Sequence, residues 1–186
     1  MDGLRTERLV LRRWIESDRP VFHRLNNDPA VMRFFPMRMS EAEADATMDR
    51  WNADLETDGM GFLAAVRLTD RRVVGVIGLS PVTEPVFDFA PSVQIGWRLL
   101  PEAQGQGLAS EGARACLTFG FDTLALPDIV SQCVVENHAS EAVMQRIGMS
   151  FRRSFDHPRV PRSHPHLVRH SLYGLRRSEW QMMMGR

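Results

Sequence analysis

Hydrophobic positions change their period several times along this chain, and each change predicts an element. Leu9 and Leu11 alternate with polar neighbours, which reads as a strand over about 8–14. Ser17 can cap a short helix carrying Phe22 and Leu25, and Asp28-Pro29 ends it because a residue before proline avoids the helical region. Ser40 and Glu43 form a capping box that opens a helix with the stripe Ala44, Met48, Trp51 and Leu55. Asp58-Gly59 stops that helix. Phe62–Leu68 and Val73–Leu79 read as two strands joined by Thr69–Arg72, a hairpin. Pro81–Pro91 is a proline-punctuated loop with Val86, Phe87 and Phe89. A strand over Val93–Leu100 follows.

Next comes Gln104–Ala109, reading Gln-Gly-Gln-Gly-Leu-Ala, and a helix with the stripe Ala113, Leu117, Phe121 and Leu124 that runs to about Thr123. Ile129–Val135 reads as a strand. A short helix with Ala139, Val143 and Ile147 ends at Gly148, and two strands follow near Ser150–Asp156 and Leu167–Leu175. This order predicts an α/β fold: a mixed sheet of about seven strands with four helices spread over both faces.

The composition adds limits. The 186 residues are 44% hydrophobic and 25% charged, which fits one globular domain over residues 1–186. Lys+Arg and Asp+Glu are both 23. A neutral chain argues against nucleic acid as the main partner, but leaves room for a small anion held by backbone dipoles. No apolar stretch approaches the roughly 20 residues of a membrane span, and Met1–Leu9 lacks the apolar core of a signal peptide. Cys116 and Cys133 fall in a predicted helix and strand, which suggests buried thiols and a reducing, cytoplasmic setting.

The chemistry begins at the glycine loop. A strand, a glycine turn and a helix start together make an anion site. The first helical turn has free N–H groups and partial positive charge, and glycine lets that backbone approach a phosphate. Gly105-x-Gly107-x-x-Ser110 partly imitates a dinucleotide fingerprint, with Glu136 ending the next strand. An NAD-dependent oxidoreductase and an ordinary glycine turn are therefore both open from the loop alone.

A second segment bears on that choice. Asn137-x-x-Ser140-x-x-Val143-x-x-Arg146-x-Gly148-Met149 sits at the next strand-to-helix junction. With Gln104, Gly107 and Ala109, it resembles the paired motifs of the GCN5-related N-acetyltransferases. Thr6–Arg12 is similar to the first strand of that superfamily, and Val74-Gly75-Val76-Ile77-Gly78 to its central hairpin. Leu172-Tyr173-Gly174-Leu175 with Glu179-Trp180 resembles the ending of the branch that acetylates ribosomal-protein N-termini.

The resemblance implies acetyl-CoA as co-substrate, bound where Val93–Leu100 and Ile129–Val135 splay apart. Backbone groups of Trp97, Leu99 and Leu100 would pair with the pantetheine arm, which can act as a surrogate strand. The N–H groups of Gln104, Gly105, Gln106, Gly107, Leu108, Ala109 and Ser110 would hold the pyrophosphate. Arg146 belongs to the same cofactor motif. Asn137 would meet the pantetheine near the thioester, or serve as a plain helix cap. The implied partners are acetyl-CoA and an amine acceptor, with a homodimer left open.

Catalysis needs a neutral amine, a polarised carbonyl and a proton for the departing thiolate. Relatives often place a tyrosine where this chain has Met144, and the only tyrosine is Tyr173. Ser140, one turn earlier, is the substitute, unless it only bonds its own helix start. Gln94 stands where relatives carry Glu, and a glutamine can orient water but takes no proton. Glu136 could deprotonate through water or be a solvated strand end. Phe35, within Phe34-Phe35-Pro36, and His157 are candidates for the acceptor walls, with core or turn roles as the alternatives. His157, His164, His166 and His170 show no cysteine or carboxylate at a zinc spacing, so no metal is expected. A non-catalytic acyl-CoA sensor is the rival from another class, motivated by Gln94 and the missing tyrosine.

Overall fold

The computed structural model describes residues 1–185. In chain order its elements are β1 (Leu4–Arg5), β2 (Leu9–Arg12), α1 (Arg19–Asn27), α2 (Glu41–Asp58), β3 (Phe62–Arg67), β4 (Val73–Val82) and β5 (Ser92–Leu99). Then come α3 (Leu108–Thr118), β6 (Asp128–Val134), α4 (His138–Arg146), β7 (Ser150–Asp156), β8 (Arg169–Arg176) and α5 (Arg177–Met183). The strands form one sheet in the order β1-β2-β3-β4-β5-β6-β8-β7. Every neighbouring pair is antiparallel except β5 and β6.

The sheet has eight strands where the pattern gives about seven. The addition, β1, is two residues long, too short for a periodic signal. A fifth helix, α5, also escapes the pattern, since Trp180 is its one buried residue. The helix after the glycine loop ends at Thr123 as expected, but Phe119–Thr123 is wound as a π-helix. The last strand starts late because Pro165–Leu167 forms a 3₁₀ turn.

Two apolar layers cover the sheet. Leu9, Leu11, Leu63, Ala65, Ile77, Leu79 and Ile95 pack on the side of α3, α4 and α5 with Leu108, Leu117, Phe121, Met144 and Trp180. Ala64, Val66, Val76 and Leu100 face α1 and α2, against Phe22, Leu25, Ala44 and Met48. Strand β3 therefore buries both faces, which is why its sequence is a continuous apolar run. Helix α3 lies close on the sheet because Gly112 has no side chain; a Cβ there would come within 2.5 Å of Ile77 Cδ1.

The functional geometry begins between β5 and β6, which pair at a single register point, Gln94 with Val130. The next residue of β6 does not continue the ladder. Instead, the Ser131 hydroxyl donates to Ile95 O at 2.9 Å. Beyond that point the strands part.

Candidate functional site

Strand parity decides which backbone groups face the gap. Leu100 N–H donates to Val74 O at 2.9 Å, and its carbonyl accepts from Ala103 N–H. By alternation, the hydrogen-bonding groups of Arg98, Gly96 and Gln94 also point at β4, through their pairs with Val76, Gly78 and Ser80. Those of Trp97 and Leu99 then point toward β6, which has already turned away. Pro81 falls opposite Val93, a pair that exchanges no bonds, so its missing N–H costs nothing and β4 extends through it to Val82. The gap opens into a cavity of about 1530 Å³.

The glycine loop closes one end of this cavity. Gly105 and Gly107 have φ of 72° and 78°, the left-handed region that a side chain disfavours. Gly107 is the N-cap of α3, and the first helical bond is Glu111 N–H to Gly107 O at 3.0 Å. Among the described residues, the six N–H groups from Gly105 to Ser110 donate to no protein acceptor. The Ser110 hydroxyl is buried there without a partner as well. Arg8 borders the turn; its guanidinium donates to Gln106 O at 2.9 Å and pairs with Glu111 at 2.6 Å. Arg114 and Arg146 line the same end, held together by a 2.6 Å bond from the Arg114 guanidinium to Arg146 O.

Several expected cofactor residues also make contacts within the fold. Gln104 N–H donates to Pro101 O at 3.2 Å, which removes it from the free set. Its side-chain amide donates to Leu99 O at 2.9 Å, so Gln104 ties the loop to β5 and Leu99 keeps only its N–H for the gap. The Gln106 side chain turns back to Glu102 O at 2.7 Å. Leu100 faces away from the cavity, 3% exposed in the α1–α2 layer. Trp97, Gly105, Gly107, Leu108, Ala109 and Ser110 all line the cavity, as do Asn137 and Ser140.

Asn137 caps α4: its Oδ1 accepts from Ser140 N–H at 3.3 Å. Among the described residues, no protein partner engages the Ser140 hydroxyl. Met144 is buried and also meets the cavity. Tyr173 sits apart, beneath α4, with its hydroxyl donating to Glu141 at 2.6 Å. Cys133 touches the cavity, but burial pushes its thiol up to about 12, with Glu141 adding to the effect. It is therefore protonated at neutral pH and no ready nucleophile.

The opposite end of the cavity lies on the α1–α2 face. Gln94 is there, and its Oε1 accepts from Gln132 Nε2 at 3.4 Å where the strands last meet. Gln132 Oε1 is buried and unpartnered. Phe35, 44% exposed, and half-buried His157 are cavity walls. His157 lies 4.6 Å from His170, with the ring planes tilted by 40°, and edge-on to Phe87. Burial, then the neighbouring His170 and Arg159, lower His157 to about 4. Burial also lowers His170.

The sequence offers His170 only as one of four histidines weighed for a metal, and nothing local marks it as part of the cavity wall. Its Nδ1 lies 3.1 Å from Val168 O. A carbonyl only accepts, so Nδ1 carries the proton and Nε2 the lone pair. Among the described residues no three His, Cys, Asp or Glu side chains gather into a metal-holding group.

Comparison with known proteins gives this geometry a setting. The family model described as acetyltransferase (GNAT) domain matches residues 8–150. An Aspergillus fumigatus protein, FsC-acetyl coenzyme A-N(2)-transacetylase, is 30% identical over 97% of this chain and 78% of its own length. The uncharacterized N-acetyltransferase YnaD of Bacillus subtilis is 29% identical over 77% of this chain and 80% of its own length. Among solved structures, an Agrobacterium tumefaciens acetyltransferase superposes with a TM-score of 0.75 at 28% identity, covering 94% of each chain. RimL, a ribosomal-protein α-N-acetyltransferase solved with coenzyme A, gives 0.74 at 20% identity, covering 92% of this chain and 95% of its own. At that identity the likeness speaks for the fold.

Proposed function

The chain belongs to the GNAT acetyltransferase family, and from that premise we propose that it moves an acetyl group from acetyl-CoA to a primary amine by direct attack in a ternary complex. The observation that carries this reading is the row of six unaccepted N–H groups, Gly105 to Ser110, beside a strand gap that leaves the backbone of Trp97 unpaired. These features fit a diphosphate followed by an amide-rich arm. Arg114 and Arg146 supply positive charge at the same end, where Arg8 is paired with Glu111. Acetyl-CoA brings the acyl group as a thioester.

The chain's own residues then have defined tasks. Ser140 passes its hydroxyl proton to the sulfur as the carbon–sulfur bond breaks and takes a proton back from water. Gln94 orients the amine through its Oε1, which Gln132 Nε2 holds in place. The amine attacks the carbonyl carbon, and its surplus proton leaves through water to the lone pair on His170 Nε2. His170 lies on the same sheet face as Gln132, one diagonal step of about 7–8 Å across β6 and β8. Its lowered pKa keeps it neutral, and so able to accept, at pH 7. The Cys133 thiol stays protonated, which disfavours an acyl-cysteine route.

The preferred acceptor is an α-amine, first of a protein or peptide N-terminus and next of a small molecule. Removing a proton from a lysine at pH 7 costs roughly 4–5 kcal/mol, against about 1 for an α-amine. A site whose base is an imidazole held below its ordinary value by burial, and so a weak proton acceptor, suits the second. The N(2) in the name of the Aspergillus relative also agrees with a defined amine target.

Thermal unfolding with CoA, acetyl-CoA and NAD tests the reading, since a ligand that binds only the folded chain raises Tm. CoA and acetyl-CoA protect and NAD does not. No protection by saturating CoA overturns the proposal. Protection without thiol release on any amine favours an acyl-CoA sensor, the reading that Met144 in the usual tyrosine position supports.

A further inference from the structure

Among the described residues, Arg98 is the guanidinium enclosed in the acceptor half of the cavity, and nothing in the fold neutralises it. It projects from β5 onto the α1–α2 face. One Nη donates to Asn26 Oδ1 at 2.9 Å and lies 3.1 Å from Met32 Sδ. Its Cζ sits 5.1 Å from the Phe35 ring centre and 5.9 Å from that of Trp51. These partners are neutral. Among the described residues no carboxylate reaches ion-pair distance of Arg98, and burial alone lowers it to about 10, which leaves it fully charged at neutral pH.

The surrounding charges point the same way. Among the described residues, the only acidic ones on the cavity wall, Glu7 and Glu111, stand at the glycine-loop end, where Glu111 is already paired with Arg8. The acceptor end adds Arg33 and Arg50 to Arg98, with no acid on the wall among them, and Arg159 beside His157 is already paired with Glu84. An enclosed cation without a counter-ion is unfavourable in the empty protein. A planar fork left with free N–H donors beside an aromatic wall suits one ligand group above others, a carboxylate.

We propose that the acceptor is an amine that also bears a carboxylate, and that Arg98 binds this carboxylate while the amine faces Gln94. The proposal rests on the acetyltransferase reading and narrows it. Polyamines and other purely cationic acceptors are disfavoured by the same three arginines. The carboxylate belongs either to a free amino acid or to an acidic residue following a peptide N-terminus, and the chemistry at Arg98 is the same.

The test is thiol release at saturating acetyl-CoA on matched acceptors. Each proteinogenic amino acid is compared with its carboxamide, Ala-Asp-amide with Ala-Asn-amide, and putrescine is included. The amino-acid arm and the peptide arm separate the two sources. Carboxamides have the more easily deprotonated amines, so that bias works against the proposal. In the expected result, at least one acid exceeds its neutral isostere by about tenfold or more in kcat/KM. Arg98→Gln brings that ratio toward one while CoA still raises Tm, and Arg98→Lys, which keeps the charge, retains part of it. Neutral isosteres or putrescine matching the acids throughout would overturn the proposal, as would an acid preference that survives in Arg98→Gln. CoA protection with no turnover on any of these acids also overturns it and leaves the cofactor site standing. Absence of CoA protection removes both.

Discussion

Replacing Gly107 with alanine separates the two jobs of the glycine turn, holding a backbone shape and presenting N–H groups. Gly107 has φ 78° and ψ 0° at the N-cap of α3. A Cβ there would have Arg8 Nη2 as its nearest neighbour, at 3.5 Å, an ordinary contact. Crowding is therefore not the cost. The left-handed backbone is, at about 1–2 kcal/mol for a residue with a side chain. For a chain of this size that lowers Tm by about 2–8 °C. Relaxation toward negative φ would also turn one or two loop N–H groups away from the ligand. Each such bond to a charged group is worth about 1.5–3 kcal/mol, so CoA affinity falls by ~10- to 100-fold or more. Gly59 is the matched control: it has φ 68° at the end of α2, a Cβ added to it would meet nothing within 4 Å, and it does not line the cavity. Gly59→Ala should lose similar stability and keep its CoA affinity. Calorimetric titration with CoA and thermal melts of both variants decide the matter. If Gly107→Ala melts early yet binds CoA like the unaltered chain, the loop is only a turn and the phosphate assignment fails.

Three further outcomes follow from the same geometry. Ser140→Ala should lower kcat by about tenfold or more and leave CoA affinity nearly unchanged, read by steady-state kinetics; an unaltered kcat would remove Ser140 from the proton transfer. Tyr173→Phe should keep its turnover, because the hydroxyl serves Glu141 outside the cavity; a hundredfold loss, about 3 kcal/mol, would make this tyrosine the acid after all. His157 resists protonation until about pH 4, whereas the unfolded chain takes up that proton near 6.5. The unfolded state then binds more protons between those values, so stability drops as pH falls through that window. His157→Phe should flatten the drop, measured as urea midpoints at pH 7 and pH 5, and an equal drop in both proteins would contradict the assigned burial.

Local features of this protein were legible without a structure. The Ser40–Glu43 box caps α2, with Ser40 Oγ accepting from Glu43 N–H at 3.4 Å, and Asn137 caps α4. Gly105 and Gly107 mark a turn before a helix. Such features depend on the conformations of a few consecutive residues, so their spacing carries them. Two short elements, β1 and α5, left no trace because two residues or a single buried tryptophan make no period.

What the tertiary structure alone decided is which groups meet across the chain. Strand register turned Trp97 toward the gap and Leu100 toward Val74, although both follow the same apolar run. Gln104 became a tether only because Leu99 O came within reach. Layer placement put Tyr173 beneath α4 and His170 on the opposite face. It also brought Arg98 among Asn26, Met32, Phe35 and Trp51, with no acid nearby. Those neighbours come from segments up to 72 positions away in sequence, and no periodicity encodes them. Capping and turns are written along the backbone, whereas charge balance inside a cavity exists only once distant segments have packed.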